Sequence, residues 1–227
     1  MSAPTDPRPD LRHVETWLFD LDNTIYPLDS GLGVLIERKI TDYVMRVTGL
    51  PRERAYAEQK RWLADHGLSL TGLMIEHGVD PDDFHAQFAD LSLECLAQDE
   101  PLKAALARLP GRRLIFTNAG AGHAQRVAAH LGIAELFDDI FHIGSADFRP
   151  KPHPDAFAKL IAAHDIAPAA TAFFEDAERN LEPAAALGMT TVLVGDHALA
   201  STAPFVHYRT ARLAPLLAAA RLKETAR

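Results

Sequence analysis

The sequence predicts an α/β protein: a doubly wound parallel sheet with a helical domain inserted after the first strand. Short apolar runs without polar alternation recur along the chain, which is typical of strands buried on both faces of a parallel sheet. Helical patterns separate these runs in the second half of the chain, and such alternation favours a doubly wound sheet. Between residues 22 and 114 the patterns are helical only, so we expect an inserted helical bundle there.

Four apolar runs are predicted as strands, and each of them ends abruptly in polar residues. They cover residues 16–19, 114–116, 171–174 and 191–194. In doubly wound sheets the ligand site lies beyond the carboxyl ends of the strands. The polar residues that follow the runs are therefore the first candidates for a functional site.

The helices predicted in the second half cover residues 122–131, 154–164 and 178–187, and a closing helix is expected over about 210–223. Pro154 suits a first helical turn, where its missing N–H costs nothing. Gly132 and Gly188 suit the position after a helix C-terminus.

The inserted region is predicted to form helices over residues 30–47, 52–66, 71–77 and 81–97. Its hinges are expected at 26–29 and 97–101, and both contain proline. We therefore divide the chain into a catalytic core, residues 1–26 and 101–227, and an inserted helical domain, residues 27–100.

The bulk properties exclude several classes of partner. The formal net charge of -8 disfavours nucleic acid and acidic membranes, which are both polyanions. No apolar run approaches the roughly 20 residues of a membrane helix, and the first residues carry no apolar signal segment. With apolar residues at 48%, a sizeable core is possible. We expect a cytoplasmic monomer or homodimer that acts on a small molecule.

Cys95 is the one cysteine, so no disulfide can form within the chain, in keeping with a reducing compartment. We interpret Cys95 as a small core residue on an inserted helix rather than as a nucleophile. The chain has 11 histidines, but no pair has convincing zinc-ligand spacing. His123 and His153 lie near the polar strand ends and are candidates for lining a cleft.

The strongest chemical signal is the segment 20–24, Asp-Leu-Asp-Asn-Thr, directly after the first strand. Of two carboxylates spaced i, i+2, Asp20 can attack phosphorus and bind a metal, while Asp22 protonates the leaving oxygen and later activates water. Magnesium would offset the repulsion between a carboxylate and an anionic phosphate. A solvated turn with two acids is the alternative interpretation.

Two further strand-end segments add a hydroxyl and a cation. Thr117 can donate to a phosphoryl oxygen, although the Thr117-Asn118 pair also suits a helix cap. Lys151 stands between Pro150 and Pro152, which hold it on a stiff backbone. An ammonium group held in this way can offset charge on phosphorus and hold a nucleophile.

The pair Glu175-Asp176 also follows a strand. Adjacent acids repel each other unless a cation is present, so a metal is the simplest explanation, although acids also favour the start of a helix. Together the strand ends supply a nucleophile, an acid/base, a hydroxyl donor, a cation and metal ligands. That set is what phosphoryl transfer requires.

These segments, in this order, resemble the four motifs of the haloacid dehalogenase superfamily, whose core is a Rossmann-like sheet. The resemblance covers about residues 15–195. Several segments resemble, more narrowly, the pyrimidine 5'-nucleotidase branch of this superfamily. They are residues 18–26, 116–119, 131–138, 151–153 and 174–176, together with Asn180.

The resemblance implies roles for the core residues. Asp20 would form an aspartyl-phosphate, and Asp22 would act as general acid and then base while its backbone carbonyl binds Mg²⁺. Thr117 and Lys151 would hold the phosphoryl group.

Asp176 would ligate Mg²⁺, with Glu175 as a further ligand or a helper, although many members of this branch carry Asp at that position. Asn118 would contact substrate or, like Asn180, order a loop.

The resemblance also identifies the insert, residues 27–100, as a helical cap that closes over the site and expels water. Within the cap, residues 69–74 resemble a substrate-facing loop that enters a helix, with Thr71 and Gly72 as substrate-binding residues. A plain helix start with Leu73 and Met74 in the core is the alternative.

Three functions from different classes follow. The first is a magnesium-dependent phosphomonoesterase acting through an aspartyl-phosphate on pyrimidine nucleoside 5'-monophosphates. The second is another enzyme of the same fold, a phosphatase or phosphomutase for a sugar phosphate or phosphoglycolate. Asp22 disfavours a dehalogenase, since chloride leaves without a proton, and a phosphonate hydrolase would need an imine-forming Lys39 or Lys60. The third is a non-catalytic phosphate-binding protein.

Overall fold

The computed structural model describes residues 8–224, and its centre is one six-stranded sheet. The strands are β1 (Thr16–Phe19), β2 (Arg112–Phe116), β3 (Asp139–Phe141), β4 (Thr171–Glu175), β5 (Thr190–Val194) and β6 (Tyr208–Thr210). Their order is β3-β2-β1-β4-β5-β6, and every neighbouring pair is parallel. The predicted α/β class and doubly wound parallel sheet are confirmed.

The register of the sheet brings the predicted strand ends together. Phe19, the last residue of β1, pairs with Ile115 of β2 on one side and Phe174 of β4 on the other. The chain moves outward in one direction from β1 to β3 and in the other from β4 to β6. The direction therefore changes between β1 and β4, where a doubly wound sheet opens a crevice for ligands.

Nine α-helices accompany the sheet within residues 8–224. They are α1 (Leu32–Thr48), α2 (Arg52–His66), α3 (Ser69–His77), α4 (Pro81–Ala86), α5 (Glu100–Ala107), α6 (Ala121–His130), α7 (Pro154–His164), α8 (Glu178–Ala186) and α9 (Leu213–Ala219). The first five lie between β1 and β2 with no strand among them, as predicted, and α1, α2 and α3 pack against one another. Because α5 packs against α9, it belongs to the layer beside the sheet. The division at residues 27 and 100 stays a prediction.

The apolar side chains of the strands divide between the two faces of the sheet, because successive side chains in a strand point to opposite sides. Trp17, Phe19 and Phe174 lie in one buried cluster. Leu18 and Phe173 lie in the other. Helices cover both faces, which is why the strand runs lack polar alternation.

The ends of several predicted helices agree with the structure. Pro154 occupies the first turn of α7, which spans the predicted residues. Gly132 and Gly188 follow α6 and α8 at φ angles of 67° and 91°. A side chain strongly disfavours this left-handed conformation, so glycine ends a helix there readily.

Two strands were missed, and two predicted helices were too long. β3 and β6 have three residues each, too few for a recognisable pattern. The predicted closing helix is shortened to α9, because Thr210 belongs to β6 and Arg221 bridges to Asp10. The predicted helix over 81–97 ends at Ala86, and turns and irregular chain follow it.

This early end corrects the interpretation of Cys95. Its side chain is exposed in a turn and is not part of a helix or of the core. The neighbouring Leu93 and Leu96 are buried instead, so they fix this segment on the core while the thiol faces solvent. Among residues 8–224, no helix has both the length and the apolar character that membrane crossing needs.

Candidate active site

A cleft of ≈ 560 Å³ lies beyond the carboxyl ends of β1, β2 and β4. The strand ends and their loops line one side, and cap residues from α1, α2, the start of α3 and α4 line the other. The core residues predicted from the strand ends all line it: Asp20, Asp22, Thr117, Asn118, Lys151, Glu175 and Asp176.

Lys151 is the central charge of the core side. Its side chain is 1% exposed, and its Nζ donates to Asp20 Oδ1 at 2.7 Å, Glu175 Oε2 at 2.8 Å and the Phe116 carbonyl at 2.6 Å. Burial lowers the pKa of Lys151, but the two carboxylates raise it to a net value above its usual range. Lys151 therefore stays charged, and it fixes one oxygen of Asp20.

Asn118 sets the position of this lysine from the loop after β2. Its Oδ1 accepts from Lys151 N at 2.8 Å, and its Nδ2 donates to Lys151 O at 3.1 Å. The Lys151–Pro152 peptide bond is cis. The loop-ordering interpretation of Asn118 thus has direct support in two hydrogen bonds, while its side chain also lines the cleft.

Asp20 is a buried carboxylate directed at the cleft. Its second oxygen accepts from Thr24 Oγ1 at 3.1 Å. Burial, strengthened by the charge of Glu175, raises the pKa of Asp20 to about 7. Thr117 is also buried, and its Oγ1 accepts from the backbone N–H of Ala119 at 3.0 Å, which leaves its hydroxyl proton available to donate.

Asp20, Glu175 and Asp176 form an acidic cluster, in which one oxygen of each lies within 4.8 Å of the others. Burial and the charge of Asp20 raise the pKa of Asp176 to about 6. Beside them, Asn180 is buried, and its Oδ1 has no partner within residues 8–224. Hard oxygen donors and unrelieved negative charge suit Mg²⁺, so these residues fit that ion.

The two members of the acidic pair differ in their other contacts. Glu175 Oε2 is bound by Lys151, and Glu175 Oε1 accepts from the backbone N–H of Ala177 at 3.1 Å. Asp176 is only partly buried, and its backbone carbonyl accepts from His197 Nε2 at 2.7 Å. The carboxylate of Asp176 is therefore the freer of the two.

Asp22 is held by two side chains that the sequence did not connect to it. Its Oδ1 accepts from the Tyr26 hydroxyl and lies 3.0 Å from His123 Nε2. Burial raises the pKa of Asp22, but the hydrogen bond and charge of His123, with help from Tyr26, give a net pKa below its usual range. His123 thus lies inside the cleft, as predicted. His153 is instead exposed at the N-terminus of α7, where its side chain accepts a hydrogen bond from the backbone N–H of Asp155.

The cap residues predicted to bind substrate lie away from the cleft. Gly72 lies inside α3 against Trp62, where a Cβ atom would come 2.1 Å from the indole ring. Thr71 is not among the residues that line the cleft, whereas Ser69 and Leu70 are. Within the predicted loop, Ser69 and Leu70 reach the cleft because α3 begins at Ser69, and substrate binding by Thr71 and Gly72 stays a prediction.

Among the cap residues on the cleft that were missed from the sequence, three carry aromatic rings. Phe84, His85 and Phe88 come from α4 and the turn that follows it. His85 lies against Gly120, and its Nε2 is buried without a partner among the described residues. Nothing in the local sequence distinguishes these residues from ordinary core positions.

Together, the fold and the site define an α/β enzyme with a buried carboxylate at the switch point of its sheet. A family model of haloacid dehalogenase-like hydrolases matches residues 14–188, and the chain belongs to this family.

Among known proteins, the chain is similar to "Phosphate metabolism protein 8" of Saccharomyces cerevisiae. The two are 28% identical over 209 residues, which cover 85% of this chain and 65% of that protein. The chain thus spans slightly less than two thirds of the length of that relative.

Among solved structures, it is similar to a haloacid dehalogenase-type phosphatase from Thermococcus onnurineus, with a TM-score of 0.60 and 15% identity over 88% of this chain and 94% of the other. It is also similar to an L-2-haloacid dehalogenase from Xanthobacter autotrophicus, with a TM-score of 0.55 and 18% identity over 90% of this chain and 97% of the other. These likenesses show the fold and do not choose between the two activities.

Proposed function

We propose that the protein is a magnesium-dependent phosphomonoesterase that works through an aspartyl-phosphate, with pyrimidine nucleoside 5'-monophosphates as substrates. The observation that carries the proposal is the setting of Asp20. A buried carboxylate faces the cleft, and Lys151 and Thr24 each hold one of its oxygens. A carboxylate fixed in this way is aligned for attack rather than solvated in a turn.

In the first step, a carboxylate oxygen of Asp20 forms a bond to phosphorus while the bond from phosphorus to the leaving oxygen breaks. Asp22 supplies the proton that the leaving oxygen needs. An arriving phosphate anion raises the pKa of Asp22, since like charge disfavours ionisation, and so favours the protonated carboxyl group. Thr117 and Lys151 hold the phosphoryl oxygens.

In the second step, Asp22 takes a proton from water as the water oxygen bonds to phosphorus and the bond from phosphorus to Asp20 breaks. The products are inorganic phosphate and the free Asp20 carboxylate. Asp22 thus acts first as an acid and then as a base, and the protons balance over one turnover.

Asp20, Asp176 and the Asp22 backbone carbonyl are the proposed holders of Mg²⁺, which would supply neutralising charge for the phosphoryl group. Glu175 has a different proposed part. Because both of its oxygens already accept hydrogen bonds, it acts mainly by holding Lys151.

Asp22 favours a phosphatase over a dehalogenase of the same fold. An alkoxide is a poor leaving group without a proton, whereas a halide ion needs none. An acid two residues after the nucleophile, held by Tyr26 and His123, is expected only where the leaving group must be protonated.

The cap side of the cleft favours a nucleoside as the leaving alcohol. Most of its lining is apolar, from residues such as Ile36, Leu63, Leu68 and Phe88. Lys60, the one lysine of the described cap that lines the cleft, is 2.7 Å from Glu37 and already paired. A nucleoside brings a planar base that can lie on this apolar surface, whereas a sugar phosphate has only its hydroxylated carbon skeleton and the carboxylate of phosphoglycolate would need a cation. The yeast protein to which the chain is similar is named for phosphate metabolism, which also supports a phosphate ester as substrate.

The test is phosphate release, in the presence of Mg²⁺, from UMP, CMP, dTMP, AMP, GMP, phosphoglycolate and sugar phosphates. We expect the pyrimidine nucleotides to give the highest kcat/KM. Asp20→Asn should lower turnover by at least about 10³-fold, because the nucleophile is lost. Asp42→Asn, an exposed α1 acid paired with Arg52, is the matched control and should leave activity unchanged.

Four results would count against the proposal. Wild-type turnover by Asp20→Asn would exclude the covalent mechanism, and full activity after thorough chelation would exclude the metal. A clear preference for phosphoglycolate or a sugar phosphate would replace the proposed substrate. Binding of phosphate without any turnover would favour a non-catalytic phosphate-binding protein.

A further inference from the structure

The carboxylate of Asp22 is anchored at one oxygen only. Tyr26, in the chain after β1, and His123, in the first turn of α6, both contact Oδ1. Within residues 8–224, no protein hydrogen bond engages Oδ2. Two donors on one oxygen fix the rotation of the carboxylate, so Oδ2 is left as the oxygen that can exchange a proton with substrate.

His123 is unusual among the histidines because its side chain is only 6% exposed. Its Nε2 contacts Asp22, while its Nδ1 is buried without a partner within the described residues. A buried imidazole that leaves one nitrogen unpaired is costly, so stability alone does not explain why it is there. Among residues 8–224, its one side-chain hydrogen-bond partner is the proposed acid/base.

The opposite side of the His123 ring packs against the cap. Phe88 contacts it edge-on, with ring centroids 6.3 Å apart and an interplanar angle of 63°. Arg126, one turn along α6, donates to the backbone carbonyls of Phe88 and Leu91 at 2.6 Å each. The cap segment 88–91 is therefore fastened to α6 beside His123, and the ring has little room to turn away from Asp22.

We propose that His123 is a positioning residue for Asp22, held in place by Phe88 of the cap. It acts through the acid/base and not on phosphorus, so it sets how well Asp22 protonates the leaving oxygen. The inference rests on the proposed phosphomonoesterase function. It also makes the cap segment 88–91 part of the catalytic arrangement, because that segment limits the orientation of the imidazole.

A positioning role predicts a dependence on the leaving group. General acid catalysis contributes about 10²–10⁴-fold, and the need is greatest when the leaving oxygen is a strong base. p-Nitrophenolate departs with little help, whereas phenolate and alkoxides need the proton. Loss of His123 should therefore lower kcat/KM strongly for phenyl phosphate and weakly for p-nitrophenyl phosphate.

The experiment compares kcat/KM for these two esters in the wild type and in His123→Ala. We expect a loss of about 10²-fold with phenyl phosphate and of less than about 5-fold with p-nitrophenyl phosphate. His123→Gln, whose Nε2–H can still donate to Asp22, should have a kcat/KM for phenyl phosphate at least about tenfold higher than that of His123→Ala. His130→Ala, on the same helix but bonded to the Leu96 carbonyl, is the control and should match the wild type.

An Asp22→Asn background provides the second measurement. If His123 works only through Asp22, removing it there should cause no further loss with phenyl phosphate, since effects on residues that act as a unit are not additive. Thermal unfolding and the p-nitrophenyl phosphate rate together report whether each variant is folded.

The possible outcomes separate the two proposals. Absence of turnover of these two esters and of the nucleotides by the wild type would refute the proposed function, and this inference with it. If the wild type hydrolyses both esters, and His123→Ala loses the same factor on each or loses nothing, only the positioning role is overturned. A further loss in the Asp22→Asn background would also overturn it.

Discussion

The two sides of the cleft are built on different physical principles. On the core side, charged groups are buried and matched to partners: Lys151 alone contacts two carboxylates and a carbonyl. On the cap side, the lining is largely apolar, and His85 Nε2 is buried with no partner among the described residues. The core side is therefore organised before substrate arrives, whereas the cap side offers apolar surface and an unused nitrogen.

This difference implies a division of labour. Preorganised charges stabilise a transition state that is the same for every phosphate monoester, so the core side sets the reaction. Apolar surface distinguishes one leaving group from another by shape and burial, so the cap side sets the substrate. Changes to the core residues that hold the nucleophile and the phosphoryl group should impair all substrates equally, and changes on the cap side should alter their ranking.

The largest effect is expected for Lys151→Met, which removes the central core charge. Asp20 and Glu175 would then face each other without a buried cation, and breaking a buried pair costs about 3–5 kcal/mol. We expect the free energy of unfolding to fall by that amount in urea denaturation at neutral pH. Turnover should fall by at least about 10³-fold for every ester, because phosphoryl binding and alignment of the nucleophile fail together.

Lys159→Met is the matched control on α7. This lysine is partly exposed and paired with the exposed Asp147, and such surface pairs contribute less than about 1 kcal/mol. If Lys151→Met kept the stability and the rate of the wild type, as the control is expected to do, the core side would not depend on its buried charge.

The next largest effect is a dependence of stability on pH in the metal-free protein. Burial raises the pKa of Asp20 to about 7 and of Asp176 to about 6. The unfolded chain releases these protons near about pH 4, so between about pH 4 and 7 the folded state holds more protons. The free energy of unfolding should therefore fall as pH rises through this window, by a few kcal/mol.

Urea denaturation with a chelator or with Mg²⁺, at about pH 5 and about pH 7.5, measures this effect. Mg²⁺ should stabilise the protein much more at the higher pH, where both carboxylates would otherwise repel each other. Asp176→Asn should reduce the difference between the two pH values. If Mg²⁺ stabilised the protein equally at both pH values, the acidic cluster would not be the metal site.

The contrast between the core side and the cap side also explains which site residues could be predicted from the sequence. Asp20, Thr117 and Asp176 follow strands directly, and parallel strands bring their carboxyl ends to one edge, so local sequence predicts which residues meet. Lys151 was identified because two prolines mark it. The motif order that identifies the family lies wholly within the core.

The cap offered no comparable marker. His85 reaches the cleft from the last turn of α4, and Phe88 reaches it because α4 ends at Ala86 and the chain turns, whereas helical periodicity predicted a helix to residue 97. Gly72 resembled a substrate loop but packs on Trp62. Contacts between helices depend on crossing angles and on where each helix ends, and neither follows from hydrophobic period alone. The His123 contact with Asp22 joins residues far apart in the chain, so local pattern could not reveal it.

The smallest effect, and the sharpest test of the division, is expected on the cap side. Leu68 lines the cleft and is half-buried, so Leu68→Asn should leave the fold intact. A lost apolar contact is worth about 1–3 kcal/mol in discrimination, so kcat/KM for the preferred nucleotide should fall by about tenfold or more. Acetyl phosphate carries no nucleoside to meet the cap, so its kcat/KM should change by less than about twofold.

Ile75→Asn is the control for this last comparison, because Ile75 lies on α3 but is 66% exposed and does not line the cleft. It should leave both substrates unaffected. If Leu68→Asn lowered the rate for acetyl phosphate as much as for the nucleotide, the cap side would take part in the chemistry itself. Such a result would contradict the division between a core that carries out the reaction and a cap that selects the substrate, because an apolar side chain with no charge and no exchangeable proton would then affect every phosphate substrate alike.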